Sequence, residues 1–223
     1  LLPIDPSVLL TTAGVQQFKP YYTGQLDPEK DFGARRVASA QKCFRTTDID
    51  DVGDKTNLTF FEMLGNFCFA DYWKQEAIIW AYRFITEELR VAPDRIHVSI
   101  FAGNPSTSSG QVIPKDEESY AIWHREIGLP EEKIKLSGIE DNFWGPTGNG
   151  GPCGPTTEIY IDNIEVWNIV FNEYFCQGAR DELLAGKARL EKLQQPGIDT
   201  GMGLERLAAV LNGANDVYKI DLL

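Results

Sequence analysis

Four residues near the end of the chain combine opposite charges with an accessible backbone: Asp199, Gly201, Gly203 and Arg206. Glycine has no Cβ, so backbone amides at Gly201 and Gly203 can approach a ligand closely. A carboxylate suits an ammonium group, while a guanidinium and free amides suit a phosphate. The spacing therefore indicates a site for a ligand that carries both groups, although glycines before a helix are also common as ordinary loop residues.

The residues on either side predict a strand followed by a helix. Apolar residues recur at helical spacing, at Leu204, Leu207, Ala208 and Leu211. They predict the buried stripe of a helix that Gly213 terminates. Arg206 falls opposite Leu204 on such a helix, which holds its guanidinium off the core side and close to Asp199.

Periodicity places further elements along the chain. We expect strands over 35–44, 58–67, 96–100, 158–162 and 164–175, and helices over 71–90 and 116–127. Residues 7–19 are expected to begin as a strand, Asp71 to cap the first long helix, and 102–114 to form a loop. Residues 178–195 fit either a helix or a hairpin. Asp162-Asn163 is too short to join two strands comfortably, which predicts a missing loop there.

Composition restricts the function classes. The chain has 223 residues, a net charge of -12, four cysteines and two histidines. The acidic balance argues against strong nucleic-acid binding by this segment alone. Without a C-x-x-C pair a zinc site is not expected, and unpaired thiols fit a reducing cytoplasm. No apolar run is long enough to span a membrane, and no leader is evident. A first residue other than methionine predicts a clipped N-terminus.

Ordered motifs then identify a family. The strings are 10–19 (LTTAGVQQFK), 43–46 (CFRT) with 59–67 (TFFEMLGNF), 151–155 (GPCGP), 166–171 (VWNIVF) and 199–206 (DTGMGLER). In this order they resemble the catalytic domain of the alanyl-tRNA synthetases, which are class II aminoacyl-tRNA synthetases. The resemblance covers nearly the whole chain and implies an α+β fold, an antiparallel sheet flanked by helices, over residues 1–223.

The resemblance implies a reaction between L-alanine and ATP, with Mg²⁺, that gives alanyl-adenylate and then charges the 3′ end of tRNA(Ala). Arg45 and Arg206 are the implied catalytic residues, holding the α- and γ-phosphates, because a planar guanidinium can bind phosphate in two places. The other implied ATP contacts are Asn57, Trp144, Val166, Trp167, Asn168 and Gly203. The implied alanine contacts are Trp144, Asn168, Val170, Asp199 and Gly201, with Asp199 on the ammonium group.

One position departs from the family pattern. Asn57-Leu58 stands where the family often has two histidines, which puts the ATP contacts there in question. We expect the tRNA-recognition, editing and C-terminal domains of the family to lie outside residues 1–223. Two alternatives stay open: an enzyme that adenylates a small amino acid for a carrier protein, and a non-catalytic relative that binds nucleotide or amino acid.

Overall fold

An eight-stranded sheet forms the centre of the computed structural model, which describes residues 2–6, 8–46, 49–104, 111–214 and 216–221. The strands are β1 (Arg36–Phe44), β2 (Phe60–Phe69), β3 (Ile96–Phe101), β4 (Ile134–Ser137), β5 (Phe143–Trp144), β6 (Gly151–Ile161), β7 (Ile164–Gln177) and β8 (Arg189–Gly203). Their order is β1-β2-β8-β7-β6-β3-β4, and β5 pairs with β6. Every pair is antiparallel except β3–β4, which confirms the predicted fold class.

Short helices flank this sheet. They are α1 (Lys19–Tyr22), α2 (Pro28–Phe32), α3 (Lys74–Arg83), α4 (Glu117–Ala121), α5 (Arg180–Leu184) and α6 (Leu204–Leu211). One π-helical turn follows α3 at Phe84–Glu88 and another follows α4 at Ile122–Glu126. Single 3₁₀ turns lie at Gly14–Phe18, Pro93–Arg95, Glu131–Lys133 and Val217–Lys219.

The two faces of the sheet have different roles. Side chains alternate across a strand, so Trp167 and Ile169 of β7 lie on one face and Asn168 and Val170 on the other. Helices α3 and α4 cover the first face, where Ile78 and Trp123 join the main hydrophobic core. The second face stays open in the middle of the sheet, and its polar side chains line a cavity.

A tight hairpin joins the central strands β6 and β7. Asp162 and Asn163 have φ values of 51° and 67°, so they form the two-residue turn that suits an antiparallel hairpin. The premise that no turn of this length could join β6 and β7 is therefore wrong, and a missing loop at this point stays a prediction. A Cβ on Gly154 would meet the Phe171 carbonyl oxygen, because β6 and β7 approach closely there.

Several local predictions need correction. The described part of 7–13 contains no strand, and the Thr12 backbone amide donates to the Gln16 side-chain oxygen instead of to a neighbouring strand. Asp71 does not cap α3; it pairs with Arg36, and the capping position is Trp73. Residues 178–195 contain both α5 and the start of β8. Part of the predicted loop, 105–110, lies outside the described residues.

The last helix also differs from its predicted stripe. Its buried residues are Glu205, Leu207, Ala209 and Val210, while Leu211 is 41% exposed. The helix is rotated so that Glu205 accepts a hydrogen bond from the Glu62 amide of β2 at 2.9 Å. Gly213, with φ of 67°, ends the helix as predicted.

Candidate active site

The cavity on the open face has a volume of about 410 Å³ and is bounded by β2, β6, β7, β8 and the connection between β1 and β2. Ten of the eleven predicted site residues line it: Arg45, Asn57, Trp144, Val166, Asn168, Val170, Asp199, Gly201, Gly203 and Arg206. A volume of this size falls within the range of small-ligand sites. The predicted constellation is therefore assembled around one space.

Arg45 stands at one side of this cavity, just beyond the end of β1. Its Nε donates to the Thr12 carbonyl oxygen at 2.8 Å, and its guanidinium carbon lies 5.4 Å from the centre of the Phe61 ring. The ring face and the carbonyl together fix the plane of the guanidinium. A fixed plane favours recognition of a phosphate or carboxylate by two parallel hydrogen bonds.

Arg206 is held by the opposite wall. Its Nε donates to the Thr56 carbonyl, its Nη2 to the Asn57 side-chain oxygen at 3.0 Å, and its Nη1 to the Glu165 carboxylate at 3.1 Å. The Tyr218 hydroxyl in turn donates to the Asn57 carbonyl at 3.0 Å. Asn57 therefore orients Arg206 through its acceptor oxygen, a contact that its place in the sequence did not indicate.

Asp199 places a buried carboxyl group between these walls. It is only 4% exposed and points from the middle of β8. Burial raises the pKa of this carboxyl to about 8, and the charge of Arg45 opposes the rise. A cationic group bound beside Asp199 would favour its ionised form, because an opposite charge nearby lowers a carboxyl pKa. The residue is thus suited to an ammonium group.

Asn168 lies diagonally across from Asp199 on the same face, and Glu158 lies on the far side of Asn168 on β6. The Asn168 amide nitrogen donates to Glu158 Oε1 at 3.2 Å, while Asn168 Oδ1 is buried with no hydrogen-bond partner. Burial, together with the charge of Glu165, raises the pKa of Glu158 to about 7, against hydrogen bonds from Tyr160 and Ser99. An unsatisfied buried acceptor is costly, which marks this oxygen as a site for a ligand donor.

A narrow apolar wall faces these acceptors. Trp144, Val170 and Met63 line the cavity, and a Cβ on Gly201 would come within 3.0 Å of the Met63 sulfur. Glycine at this position lets the Met63 side chain fill the floor of the cavity. The apolar space next to the buried carboxylate is consequently small.

A family model described as tRNA synthetases class II (A) matches residues 1–223. The chain belongs to this family. Alanine–tRNA ligase of Rubrobacter xylanophilus is 48% identical over 244 aligned positions, which cover 98% of this chain and 26% of that protein. Alanine–tRNA ligase of Dehalococcoides mccartyi is 41% identical and is covered to 24%. The synthetase domain thus spans about a quarter of the length of these curated relatives.

A solved structure supports the same fold. Apo histidyl-tRNA synthetase of S. aureus superposes with a TM-score of 0.50 at 12% identity, over 95% of this chain and 53% of that one. At this identity the likeness concerns the fold alone. Within the described residues of the synthetase domain, no helix has the length and apolar character needed to cross a membrane.

Trp167 is the predicted ATP contact that the structure places elsewhere. It lies on the opposite face of β7, where its ring packs against Phe84 at 5.8 Å and lines a second, mostly apolar groove of about 530 Å³. Strand alternation explains the correction, because the neighbours Val166 and Asn168 line the cavity. The Trp167 side chain therefore lies outside the cavity that the other ten predicted residues line.

Some cavity residues were missed by the sequence interpretation. They are mostly acidic or apolar: Asp51, Phe61, Met63, Asp141, Glu158, Glu165 and Glu205. Strand alternation could have found Glu158, which is separated by two residues from the Gly/Pro string 151–155. Nothing in the local sequence indicates that Glu165 pairs with Arg206, because this contact depends on how β7 packs against α6.

In the part of the chain that the structure describes, no cluster of three or more metal-binding side chains is found.

Proposed function

We propose that the synthetase domain activates L-alanine with ATP, forming alanyl-adenylate and pyrophosphate, and that it transfers the alanyl group to the 3′ end of tRNA(Ala). The observation that carries the proposal is the meeting of two oriented guanidiniums, Arg45 and Arg206, with the buried carboxylate of Asp199 in one cavity. The names of the relatives, alanine–tRNA ligases at 41–48% identity, support alanine as the amino acid.

The chemistry needs positioning more than proton transfer. The attacking group is the alanine carboxylate, which is already ionised at neutral pH, so no general base is required. Asp199 and Asn168 would hold the ammonium group and orient that carboxylate toward the α-phosphate. Arg45 would stabilise the charge that develops there, and Arg206 would hold the γ-phosphate. Such alignment and charge stabilisation account for most of the catalysis in phosphoryl-type displacements.

The residues present also fit magnesium. The cavity lining contains more acidic than basic side chains, so an ATP tetra-anion would need extra cations to enter. Glu205 Oε2 is buried with no hydrogen-bond partner, and Mg²⁺ is typically held by one or two carboxylates together with substrate phosphates. Glu205 and Glu165 are the side chains that would hold it. The bound ion would supply charge neutralisation for the phosphates.

The proposed pocket gives limited selectivity among small amino acids. Val170 and Trp144 line the cavity and would face the alanine methyl group, but discrimination against glycine rests on that one methyl, which is worth only about 1–3 kcal/mol. We expect measurable activation of glycine and serine by this domain alone.

The four cysteines are free thiols, which supports a cytoplasmic location.

The test is amino-acid-dependent ATP–pyrophosphate exchange with the purified chain. We expect exchange with alanine, weaker exchange with glycine and serine, and none with larger amino acids. Arg206→Lys should lower the rate at least tenfold, because lysine cannot reproduce the four oriented hydrogen bonds of the guanidinium. Arg95→Lys is the matched control, since Arg95 pairs with Asp162 away from the cavity. No exchange with any amino acid would favour the non-catalytic alternative.

A second assay distinguishes transfer of alanine to tRNA from transfer to a carrier protein. Transcribed tRNA(Ala) and a phosphopantetheine carrier protein are offered to the activated enzyme together with labelled alanine. Label on the tRNA is the expected result. Label on the carrier alone would contradict the proposed transfer step while leaving the adenylation step intact.

A further inference from the structure

A row of register partners crosses four strands beneath the cavity. Ser99 of β3 pairs with Glu158 of β6, Glu158 with Asn168 of β7, and Asn168 with Gly201 of β8. Register partners on antiparallel strands bring their side chains together on one face. Three of these side chains are joined by hydrogen bonds, and the fourth position has no side chain at all.

Glu158 is the centre of this row. It is 7% exposed, and its Oε2 accepts hydrogen bonds from the Ser99 hydroxyl at 2.8 Å and the Tyr160 hydroxyl at 2.6 Å. Its Oε1 accepts from the Asn168 amide nitrogen at 3.2 Å. Both carboxylate oxygens are therefore engaged by protein donors, and this side chain is held in one place.

The carboxylate determines how the Asn168 amide is turned. Glu158 Oε1 accepts the hydrogen bond from the Asn168 nitrogen, so the amide presents its nitrogen to Glu158 and its oxygen to the other side. That oxygen is buried without a partner, and Asn168 lines the cavity. Asp199 lies on the adjacent strand, paired with Val170, and thus diagonally across from Asn168 on the same face.

We propose that Glu158 is a positioning residue that fixes the Asn168 amide so that its oxygen accepts a hydrogen bond from the substrate ammonium group beside Asp199. The inference rests on the proposed function, because it assumes that an amino acid occupies this part of the cavity. Glu158 acts through Asn168 and leaves contact with the substrate to Asn168 and Asp199. A Cβ at position 201 would come within 3.0 Å of the Met63 sulfur, so glycine there lets the Met63 side chain line the cavity.

The test is a double-mutant cycle between Glu158 and Asn168, measured by exchange. Glu158→Met keeps the length of the side chain but removes the acceptor that orients the amide. We expect the KM for alanine to rise at least tenfold, with the KM for ATP changed less than threefold. Asn168→Ala should raise the alanine KM by a similar factor, and adding it to Glu158→Met should have little further effect.

The conservative variant Glu158→Gln provides a second measurement should the methionine variant not fold. Its amide oxygen can accept from Asn168, while its NH₂ group can donate to the Ser99 and Tyr160 hydroxyls, which are able to accept. The alanine KM should stay within threefold of wild type. A loss for Glu158→Gln as large as that expected for methionine would overturn the proposal, because the charge rather than the acceptor would then matter.

The cycle also separates this inference from the proposed function. If the wild-type chain activates no amino acid, the proposed function fails before any variant is compared. If it activates alanine and the effects of Glu158→Met and Asn168→Ala multiply, Glu158 does not act through Asn168 and only this inference fails. A Glu158→Met effect on the KM for ATP with no change for alanine would overturn it as well.

Discussion

Asp199→Asn tests the site through two opposite effects of one nearly isosteric change. Burial raises the pKa of the Asp199 carboxyl from 3.8 to about 8. A group with a raised folded-state pKa stabilises the fold fully at pH values below its unfolded pKa and loses that contribution as the pH rises toward its folded pKa. The wild-type chain therefore becomes less stable relative to the asparagine variant between about pH 4 and pH 8.

The magnitude follows from the shift. About four pKa units at about 1.4 kcal/mol each give an upper limit of about 6 kcal/mol for the cost of the buried charge. Between about pH 5.5 and pH 8, the free energy of unfolding of the variant should rise by about 3 kcal/mol relative to wild type. Urea denaturation at the two pH values measures this difference and cancels the constant contribution of the new amide.

The same Asp199→Asn change should lower the exchange activity with alanine while it raises the stability at high pH. Hydrogen bonds to charged groups contribute about 1.5–3 kcal/mol, so losing the carboxylate should lower kcat/KM for alanine in exchange by about 10- to 150-fold. Asp162→Asn is the control: this exposed carboxylate pairs with Arg95, and we expect a change in stability below about 1 kcal/mol and normal exchange. An Asp199→Asn variant with normal alanine kinetics, or with no pH-dependent gain in stability, would refute the assignment.

Three further changes test other parts of the site and the sheet. Arg45→Lys should reduce exchange at least tenfold at saturating alanine, because lysine lacks the planar fork that Phe61 and Thr12 orient. Asn57→Ala should raise the KM for ATP several-fold and leave the KM for alanine unchanged, since it removes an acceptor of Arg206; equal changes in both constants would contradict this. Gly154→Ala should destabilise the fold by about 3 kcal/mol or more in urea denaturation, because its Cβ would overlap the Phe171 carbonyl oxygen. Gly138→Ala, with open space around the new methyl, should stay within about 0.5 kcal/mol; similar losses for both glycines would argue against the close approach.

Strong periodicity made much of the sheet predictable. Alternation placed β3 close to its observed bounds, because a half-buried strand repeats every two residues, and the β-like composition of 35–44, 58–67 and 164–175 did the same for β1, β2 and β7. The start of β6 was not predicted, since glycine and proline in 151–155 normally indicate a loop. Here Gly154 allows β6 and β7 to approach closely, and that need becomes visible only when the two strands are paired.

The residues of the candidate site could be predicted from the sequence, but the hydrogen bonds between them could not. Motif spacing brought Arg45, Asp199 and Arg206 together correctly, although their roles stay predictions. Trp167 was misplaced because the motif string was interpreted without its alternation across the sheet. The bonds of Arg206 to Asn57 and Glu165 join segments far apart in the chain, and no local pattern specifies them.

Strand β7 separates two spaces of comparable size, with Asn168 and Val170 toward one and Trp167 and Ile169 toward the other. A shift of the β7 backbone toward one of these spaces therefore changes the other space as well. If Val170 contacts the amino acid as proposed, the effect of substituting it will depend on how Trp167 and Phe84 pack on the other face of the strand. Under the proposed function, we expect variants of these two aromatic residues to alter the choice of amino acid from the far side of β7, outside the cavity.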